Sequence, residues 1–186
     1  MNQKKNKTTI FSVDQLVSYV AILVGLSALI VSLYEASIFR KQQKAAVWPY
    51  LELNYAYNSN NGVFSYNIQN KGMGPAILEW SSIKIDDTPM HNWRNYRNEI
   101  FTTDTLKLGK SYIYNRVIAP GETVNMLIIS DKQAAYIAYK NRKRISFEIC
   151  YRSIFDEYWL LKRNSSGRSH SKIKYFDIAP EDEFED

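Results

Sequence analysis

The sequence predicts a mainly β protein in which an amino-terminal transmembrane helix and a helical stalk precede a sandwich of two antiparallel sheets. Three observations favour this fold class: a long charge-free apolar run, period-two alternation after Pro49, and turn-forming residues between successive alternating stretches. The hydrophobic share of 45% among 186 residues is large enough for a folded core and speaks against wholesale disorder. The expected division is a basic tail (1–15), a transmembrane helix (16–34), a helical stalk (35–48), a β-sandwich domain (49–163) and a flexible tail, acidic at its end (164–186).

The membrane segment reads LVSYVAILVGLSALIVSLY and contains no charged residue. At about 1.5 Å per residue it covers roughly the ~30 Å hydrocarbon layer. Ser12 and Gln15 form a capping-box pattern where the helix would begin. A cleaved signal peptide is the alternative, because three lysines precede the apolar run. The run is longer than the apolar region of a typical signal peptide and no clean A-x-A site follows, so we expect an uncleaved anchor.

Small residues in this helix lie along one seam with a period of 3.5 residues. Membrane helices associate where small side chains let their backbones approach closely, so the seam predicts self-association or docking on another membrane helix. The alternative is a chance alignment of residues that are common in such helices. The predicted packing residues are Ser18, Ala21, Gly25, Ala28 and Ser32.

The predicted location is a cell (inner) membrane crossed once. Three basic residues precede the apolar run and three follow it closely, so the positive-inside rule leaves the orientation open. A basic tail is not easily translocated, which tilts the expectation toward a domain outside the cytoplasm. The expected partners are the lipid bilayer and either further copies of the chain or another membrane protein; the protein partner of the domain is unknown.

After the stalk, the helix is expected to stop at Trp48-Pro49, because the residue before a proline disfavours helical backbone. Alternation then predicts seven strands, among them one in which Phe64, Tyr66 and Ile68 share a face. The others are 50–57, 76–85, 112–117, 124–129, 144–151 and 158–162, and in 144–151 the buried face is Ile145, Phe147, Ile149 and Tyr151. Short helical insertions are predicted at HNWRNYRNEIF, with a long loop as the alternative, and at DKQAAYIAYKNRK, where Asp131 is the expected cap.

The stretches YNIQNKGMGPA, IDD and IAPGETV resemble the N-x-G and P-G-E pattern of immunoglobulin-like sandwiches in many bacterial proteins. The chain as a whole resembles a loose group of uncharacterised bacterial single-pass membrane proteins that carry such a domain. In that group a membrane helix is followed by a basic, glutamine-containing stretch, a VWPYLEL-like segment and N-x-G-x-G-P-A. The resemblance implies an immunoglobulin-like fold and no activity; Gly72 and Gly74 are expected to supply turn conformations.

Catalytic residues, metal ligands and cofactor-binding residues are not expected, and we predict that the chain is not an enzyme. The two histidines, His91 and His170, lack metal-ligand spacing. Asp86 and Asp87 near His91 suggest a metal site, but IDDTP is first a hairpin-turn composition. Cys150, the single cysteine, lies within a predicted strand and is expected to be structural, and it rules out an intrachain disulfide.

A basic cluster is the one predicted contact for a ligand or anion. The chain carries 24 basic and 19 acidic residues, and six of the acids lie in its last stretch, FDIAPEDEFED, which contains no basic residue. A basic body suits an anionic membrane surface, a nucleic acid or the acidic tail itself. Aromatics beside cations can also hold nucleotides, although the expected reading is core aromatics and a solvated surface. The cluster consists of Lys140, Arg142, Lys143 and Arg144, with Arg163, Arg168, Lys172 and Lys174 joining it in composition.

Two functions from different classes remain. The first is a non-enzymatic membrane-anchored interaction module that self-associates or docks through its helix and binds a partner through its sandwich. The second is a signal-responsive membrane effector or sensor, for example in anti-phage defence, whose domain binds a nucleotide or another small ligand.

Overall fold

The computed structural model describes residues 12–101, 105–174 and 183–185. The chain divides into two compact units, residues 1–43 and 44–186. The predicted basic tail before residue 12 and the stretch 175–182 of the predicted acidic tail lie outside the described residues.

Helix α1 (Val13–Ala46) contains the predicted membrane segment and most of the predicted stalk. Its capping box is confirmed: the Ser12 amide donates to Gln15 Oε1 at 3.2 Å, and the Gln15 amide donates to Ser12 Oγ at 3.4 Å. In the described part of the chain α1 is the one helix long and apolar enough to cross a bilayer, and its apolar window is wholly uncovered. The helix ends two residues before Trp48, close to the predicted stop.

The second unit is built from antiparallel strands, so the mainly β prediction with an apolar amino-terminal helix is confirmed. One sheet has the order β1-β2-β7-β5; the other has the order β10-β9-β8-β3-β4, with β6 also paired to β3. Two helices, α2 (Trp93–Phe101) and α3 (Lys132–Asn141), accompany the sheets. The strands are β1 (Leu51–Asn58), β2 (Val63–Asn70), β3 (Ala76–Ile85), β4 (Thr88–Met90), β5 (Gly109–Lys110), β6 (Val117–Ile118), β7 (Thr123–Ile129), β8 (Ile145–Arg152), β9 (Tyr158–Asn164) and β10 (Gly167–Ile173).

The core lies where the inner faces of the two sheets meet. Alternate residues of β2 are buried, as period two requires, and the predicted inner face of β8 is confirmed. Across the sheets the rings of Tyr66 and Phe147 lie 4.9 Å apart. Both predicted helices are present, and the Asp131 carboxylate caps α3 by accepting from the Ala134 amide at 2.8 Å.

The predicted strand 112–117 was wrong. The structure has only the two-residue strands β5 and β6 flanking this stretch, and a turn between them. Asn115 has φ +51, a left-handed conformation that interrupts an extended strand, and the Arg116 amide donates to the Ile113 carbonyl at 3.3 Å. Alternation of side-chain polarity alone did not reveal this backbone reversal.

The predicted flexible tail, 164–186, differs from the structure in two places. Residues 167–173 form β10, which pairs with β9; its mostly exposed polar side chains give no apolar alternation in the sequence. Further on, Phe184 is only 1% exposed, and its ring lies 4.9 Å from that of Trp93. Backbone bonds hold it there, from the Phe184 amide to the Ser81 carbonyl and from the Glu185 amide to the His91 carbonyl. A single aromatic side chain thus docks an otherwise acidic segment.

The N-x-G-x-G-P-A segment, residues 70–76, packs against the backbone that leads into β1. A Cβ on Gly74 would lie 1.8 Å from the Val47 carbonyl oxygen, and one on Gly72 would lie 2.4 Å from the Trp48 carbonyl oxygen. Neither glycine is among the described residues with positive φ. The expected reason for these glycines was therefore wrong: they permit close backbone approach rather than a special turn conformation.

Asn70 completes this junction from inside the core. It is fully buried, and its side chain makes four hydrogen bonds to backbone groups. Its Nδ2 donates to the Gly74 carbonyl at 2.8 Å and to the Ile118 carbonyl at 2.9 Å. Its Oδ1 accepts from the Tyr50 amide at 3.2 Å and from the Gly72 amide at 2.9 Å. One side chain therefore satisfies four backbone groups in three separate segments.

Candidate anion-binding site

A cavity of about 240 Å³ opens within the second unit, where β1, β2, β8 and β9 meet the 3₁₀ turn Arg142–Arg144 and the β9–β10 turn. We name it the arginine–tyrosine cavity. Of the described residues around it, four are cationic and none is acidic. Its lining consists of Tyr55, Tyr66, Arg142, Lys143, Ile145, Phe147, Arg163, Asn164, Ser165, Ser166, Gly167 and Arg168.

Two arginines oppose one another across the β9–β10 hairpin. Arg163 and Arg168 are direct cross-strand partners, an arrangement that is destabilising for like charges. Arg163 also lies two residues after the buried Leu161, on the core-facing side of β9. Its guanidinium donates to the Leu53 carbonyl and is half-buried. Burial, followed by the neighbouring charge of Arg168, lowers the pKa of Arg163.

A third arginine is held by aromatic side chains. The Arg142 guanidinium lies 4.1 Å from the ring centroid of Tyr139 and 5.3 Å from that of Tyr55, and it donates to the Tyr139 carbonyl at 2.8 Å. A hydrogen bond to Tyr55 raises the pKa of Arg142. Arg163 lies 5.0 Å from the same Tyr55 ring. Tyr55 therefore orients two guanidinium groups at one place.

The positive charge of the cavity is only partly compensated. Glu52 pairs with Arg168 at 3.2 Å, but it also pairs with Lys71 at 2.8 Å, and these two cations lower the pKa of the carboxyl, with the Lys71 hydrogen bond as the larger cause. Lys143 is exposed and pairs with no carboxylate among the described residues. The result is an excess of positive charge around the cavity, and guanidinium groups are the side chains that pair best with oxyanions.

Tyr66 lines this cavity, and its hydroxyl has no hydrogen-bond partner among the described residues. The side chain is 1% exposed, and the hydroxyl oxygen is buried. Burial raises the pKa of Tyr66, so the group stays protonated and can donate. A buried hydroxyl without a partner is costly, and a ligand oxygen in the cavity could satisfy it.

The structure brings together two of the four predicted contact residues. Arg142 and Lys143 line the cavity, whereas Lys140 and Arg144 do not. Lys140 lies 5.2 Å from the ring centroid of Tyr136. Arg144 donates from Nε to Asp86 Oδ2 at 2.7 Å and lies 3.8 Å from Glu99. The cluster that is continuous in sequence is therefore divided in space.

Sequence reasoning did not assign Tyr55, the buried Tyr66 or the exposed turn 164–167 to a site, and it placed Arg163 and Arg168 near the cluster only by composition. One signal was available: in RNSSGR an arginine stands on each side of an N-S-S-G turn. The Ser166 amide donates to Asn164 Oδ1 at 2.9 Å, which stabilises this turn and places the two arginines opposite one another.

The other residues considered for chemistry have structural surroundings. Asp86 and Asp87 both have positive φ and join β3 to β4, which confirms the hairpin turn. The His170 ring stacks on Tyr50 at 4.4 Å. Cys150 is fully buried, and burial raises its pKa to about 12. Among the described residues, no group of three His, Cys, Asp or Glu side chains is placed to hold a metal ion.

The predicted packing seam of α1 lies on exposed helix surface in the single chain. Ser18 Oγ donates to the Asp14 carbonyl at 2.8 Å, within the helix. Apart from its chain neighbours and the backbone of its own helix, a Cβ on Gly25 would have no described atom within 4 Å. The seam stays a prediction.

Comparison with known proteins gave one family. The model for a domain of unknown function, DUF8453, matches residues 10–180. The chain belongs to the DUF8453 family. This match includes α1, both sheets and every residue that lines the cavity, so the DUF8453 domain comprises the apolar helix as well as the β unit. A search of curated proteins gave no match.

Proposed function

We propose that this protein is a non-enzymatic, membrane-anchored binding module whose β unit binds an anionic partner in the arginine–tyrosine cavity. The observation that carries the proposal is the convergence of Arg142, Lys143, Arg163 and Arg168 around a space with no acidic lining residue among those described. Apolar α1 supplies the anchor. In this proposal the helix crosses a bacterial inner membrane once, and the domain lies outside the cytoplasm.

The proposed fold of the second unit is an immunoglobulin-like β-sandwich. Two antiparallel sheets with a shared core support it, as do the short connecting turns. The resemblance of the NKGMGPA and APGET segments to immunoglobulin-like domains supports it further.

Anion binding is testable with the full-length protein in detergent, by thermal unfolding in sodium sulfate or phosphate against sodium chloride of equal ionic strength. An anion at ten times its Kd stabilises the bound protein by about 1.4 kcal/mol. Because sulfate and phosphate stabilise folded proteins in general, the comparison between variants carries the result. Arg163→Gln and Lys143→Gln should each lose part of the gain, whereas Arg144→Gln, which removes an equal charge outside the cavity, should keep it. An equal gain in all four proteins would contradict the proposal.

Self-association through the α1 seam is the second part of the proposed function. Gly25→Leu places a bulky side chain on the seam, and Ser27→Leu makes a similar change off the seam. We expect Gly25→Leu alone to lower the molecular mass of the protein–detergent complex, measured by light scattering. An unchanged mass in Gly25→Leu would remove the seam from the proposal.

A signal-responsive membrane effector or sensor is the second candidate, and the size of the cavity favours it. A volume of about 240 Å³ lies just below the usual range of small-molecule pockets, roughly 300–1,000 Å³, and suits a small ligand better than a protein surface. In this function ligand binding changes helix packing or membrane integrity. Two measurements distinguish it from a passive module: a change in the mass of the protein–detergent complex when ligand is added, or ligand-dependent leakage of liposomes that contain the protein.

A further inference from the structure

We propose that the arginine–tyrosine cavity binds the phosphate monoester group of a small solute. This inference rests on the proposed function and names the ligand class for the same cavity. The group is held by the guanidinium groups of Arg142 and Arg163 with support from Arg168, and it accepts a hydrogen bond from the Tyr66 hydroxyl.

Charge favours a phosphate monoester over a carboxylate. A carboxylate carries one negative charge and two oxygens, which a single guanidinium satisfies in a bidentate pair. The cavity offers four cations, and Glu52 neutralises Arg168 only in part, since it is shared with Lys71. A phosphate monoester carries about −1.5 to −2 at neutral pH and three acceptor oxygens, which matches several donors at once.

The donors also come from three different elements, as a group with several acceptor oxygens requires. Arg142 comes from the 3₁₀ turn after α3, Arg163 from β9 and Tyr66 from β2. The cross-strand pair Arg163–Arg168 is unfavourable in the absence of an anion and becomes favourable when an oxyanion lies between the two. The same ligand thus removes two costs, like-charge repulsion and an unpartnered hydroxyl.

The volume limits what is attached to the phosphate. The cavity volume of about 240 Å³ lies just below the usual range of small-molecule pockets, roughly 300–1,000 Å³, which favours a phosphate with a small substituent. A phosphodiester has a single charge and two substituents, so it matches the cavity less well. We therefore assign the site to a small solute rather than to nucleic acid.

The test compares phenyl phosphate, phenyl sulfate and benzoate by calorimetric titration of the full-length protein in detergent. The three probes share a ring and differ in charge and in the number of oxygens. We expect phenyl phosphate to bind at least about tenfold more tightly than phenyl sulfate or benzoate. Arg163→Gln should weaken phenyl phosphate binding by more than tenfold, Lys143→Gln by a smaller factor, and Arg144→Gln should leave it unchanged.

Tyr66→Phe separates ligand contact from structural support. Removing a hydroxyl without a partner should leave the stability of the free protein unchanged or raised, while a lost hydrogen bond to a charged group weakens phenyl phosphate binding about tenfold or more. Tyr96→Phe is the matched control: its hydroxyl is also buried without a hydrogen-bond partner among the described residues, and Tyr96 is not one of the residues that line the cavity. Stability should respond alike in both variants, and affinity only in Tyr66→Phe.

The possible outcomes distinguish the phosphate assignment from the proposed anion-binding function on which it rests. Equal affinity for the three probes, with dependence on Arg163, would overturn the phosphate assignment and leave an anion-binding module. Unchanged affinity in both Arg163→Gln and Lys143→Gln would overturn the site itself. Lys143→Gln is included because Lys143 is exposed, so its replacement tests the cavity without disturbing the core. Absence of binding for every probe would overturn both the inference and anion binding in the cavity.

Discussion

Replacement of Asn70 by alanine should destabilise the β unit more than any other polar substitution in β2. The change removes four hydrogen bonds at once from a fully buried side chain. The carbonyls of Gly74 and Ile118 then lose a donor within the buried region, whereas the amides of Tyr50 and Gly72 are part-buried and can recruit water.

The magnitude follows from the two buried carbonyls. Each buried polar group left without a partner costs about 1–3 kcal/mol, so we expect the free energy of unfolding to fall by about 2–6 kcal/mol. This is a large share of the roughly 5–15 kcal/mol that stabilises a typical domain. Asn67→Ala is the matched control, since Asn67 lies on the same strand, is only partly buried and makes no side-chain hydrogen bond to a described residue. Its expected cost is about 0.5 kcal/mol or less.

Asn70→Asp should make the stability of the β unit depend on pH. The carboxylate keeps the acceptor for Tyr50 and Gly72 but turns its second oxygen toward two carbonyl oxygens. Burial and this repulsion raise the pKa of the new carboxyl in the folded state above its unfolded value. The sign follows: the variant is most stable below the unfolded pKa and loses stability as pH rises through the folded pKa.

Urea unfolding of the full-length protein in detergent, followed by tryptophan fluorescence, measures these effects. All four tryptophans of the chain, at positions 48, 80, 93 and 159, belong to the second unit, so the signal reports that unit. If Asn70→Ala cost no more than Asn67→Ala, the buried hydrogen-bond argument would be refuted. A variant Asn70→Asp that gained stability with rising pH would refute the assignment of its donors.

Three further outcomes are expected from the same protein in detergent. Gly74→Ala should lower the free energy of unfolding by about 3 kcal/mol or more, because the added Cβ would lie 1.8 Å from a carbonyl oxygen. Gly109→Ala is the control: its added Cβ has its nearest contact at 3.4 Å and should cost less than about 1 kcal/mol. Similar costs for the two variants in urea unfolding would contradict the close backbone approach at Gly74. Cys150 should resist a thiol reagent at pH 8 until urea unfolds the chain, since burial raises its pKa to about 12; rapid labelling under native conditions would contradict that burial. Phe184→Ala should lower the free energy of unfolding in urea by about 3 kcal/mol, because it removes a buried ring. Phe155→Ala, which truncates a 38% exposed side chain, should cost clearly less. Equal costs would mean that residues 183–185 do not dock on the β unit.

Local patterns determined much of this protein. The charge-free run and its Ser12 cap were sufficient to predict α1, because a capping box and an uninterrupted apolar stretch act over neighbouring residues. The buried faces of β2 and β8 and the cap of α3 at Asp131 also follow from short-range periodicity and spacing. These features depend on side-chain spacing along one element, which the sequence contains in full.

The tertiary structure decided the site and the junctions. Arg142 and Arg163 belong to elements separated along the chain by β8, and only the packing of the two sheets places both beside Tyr55, which lies on β1 of the other sheet. Arg144 is next to Lys143 in sequence, but the two belong to a 3₁₀ turn, in which neighbouring side chains point in different directions. Arg144 therefore pairs with Asp86 and does not line the cavity. Phe184 docks through contacts about a hundred residues away. These contacts depend on long-range packing and on charged side chains that become neighbours only in the folded chain, and neither can be predicted from short stretches of sequence.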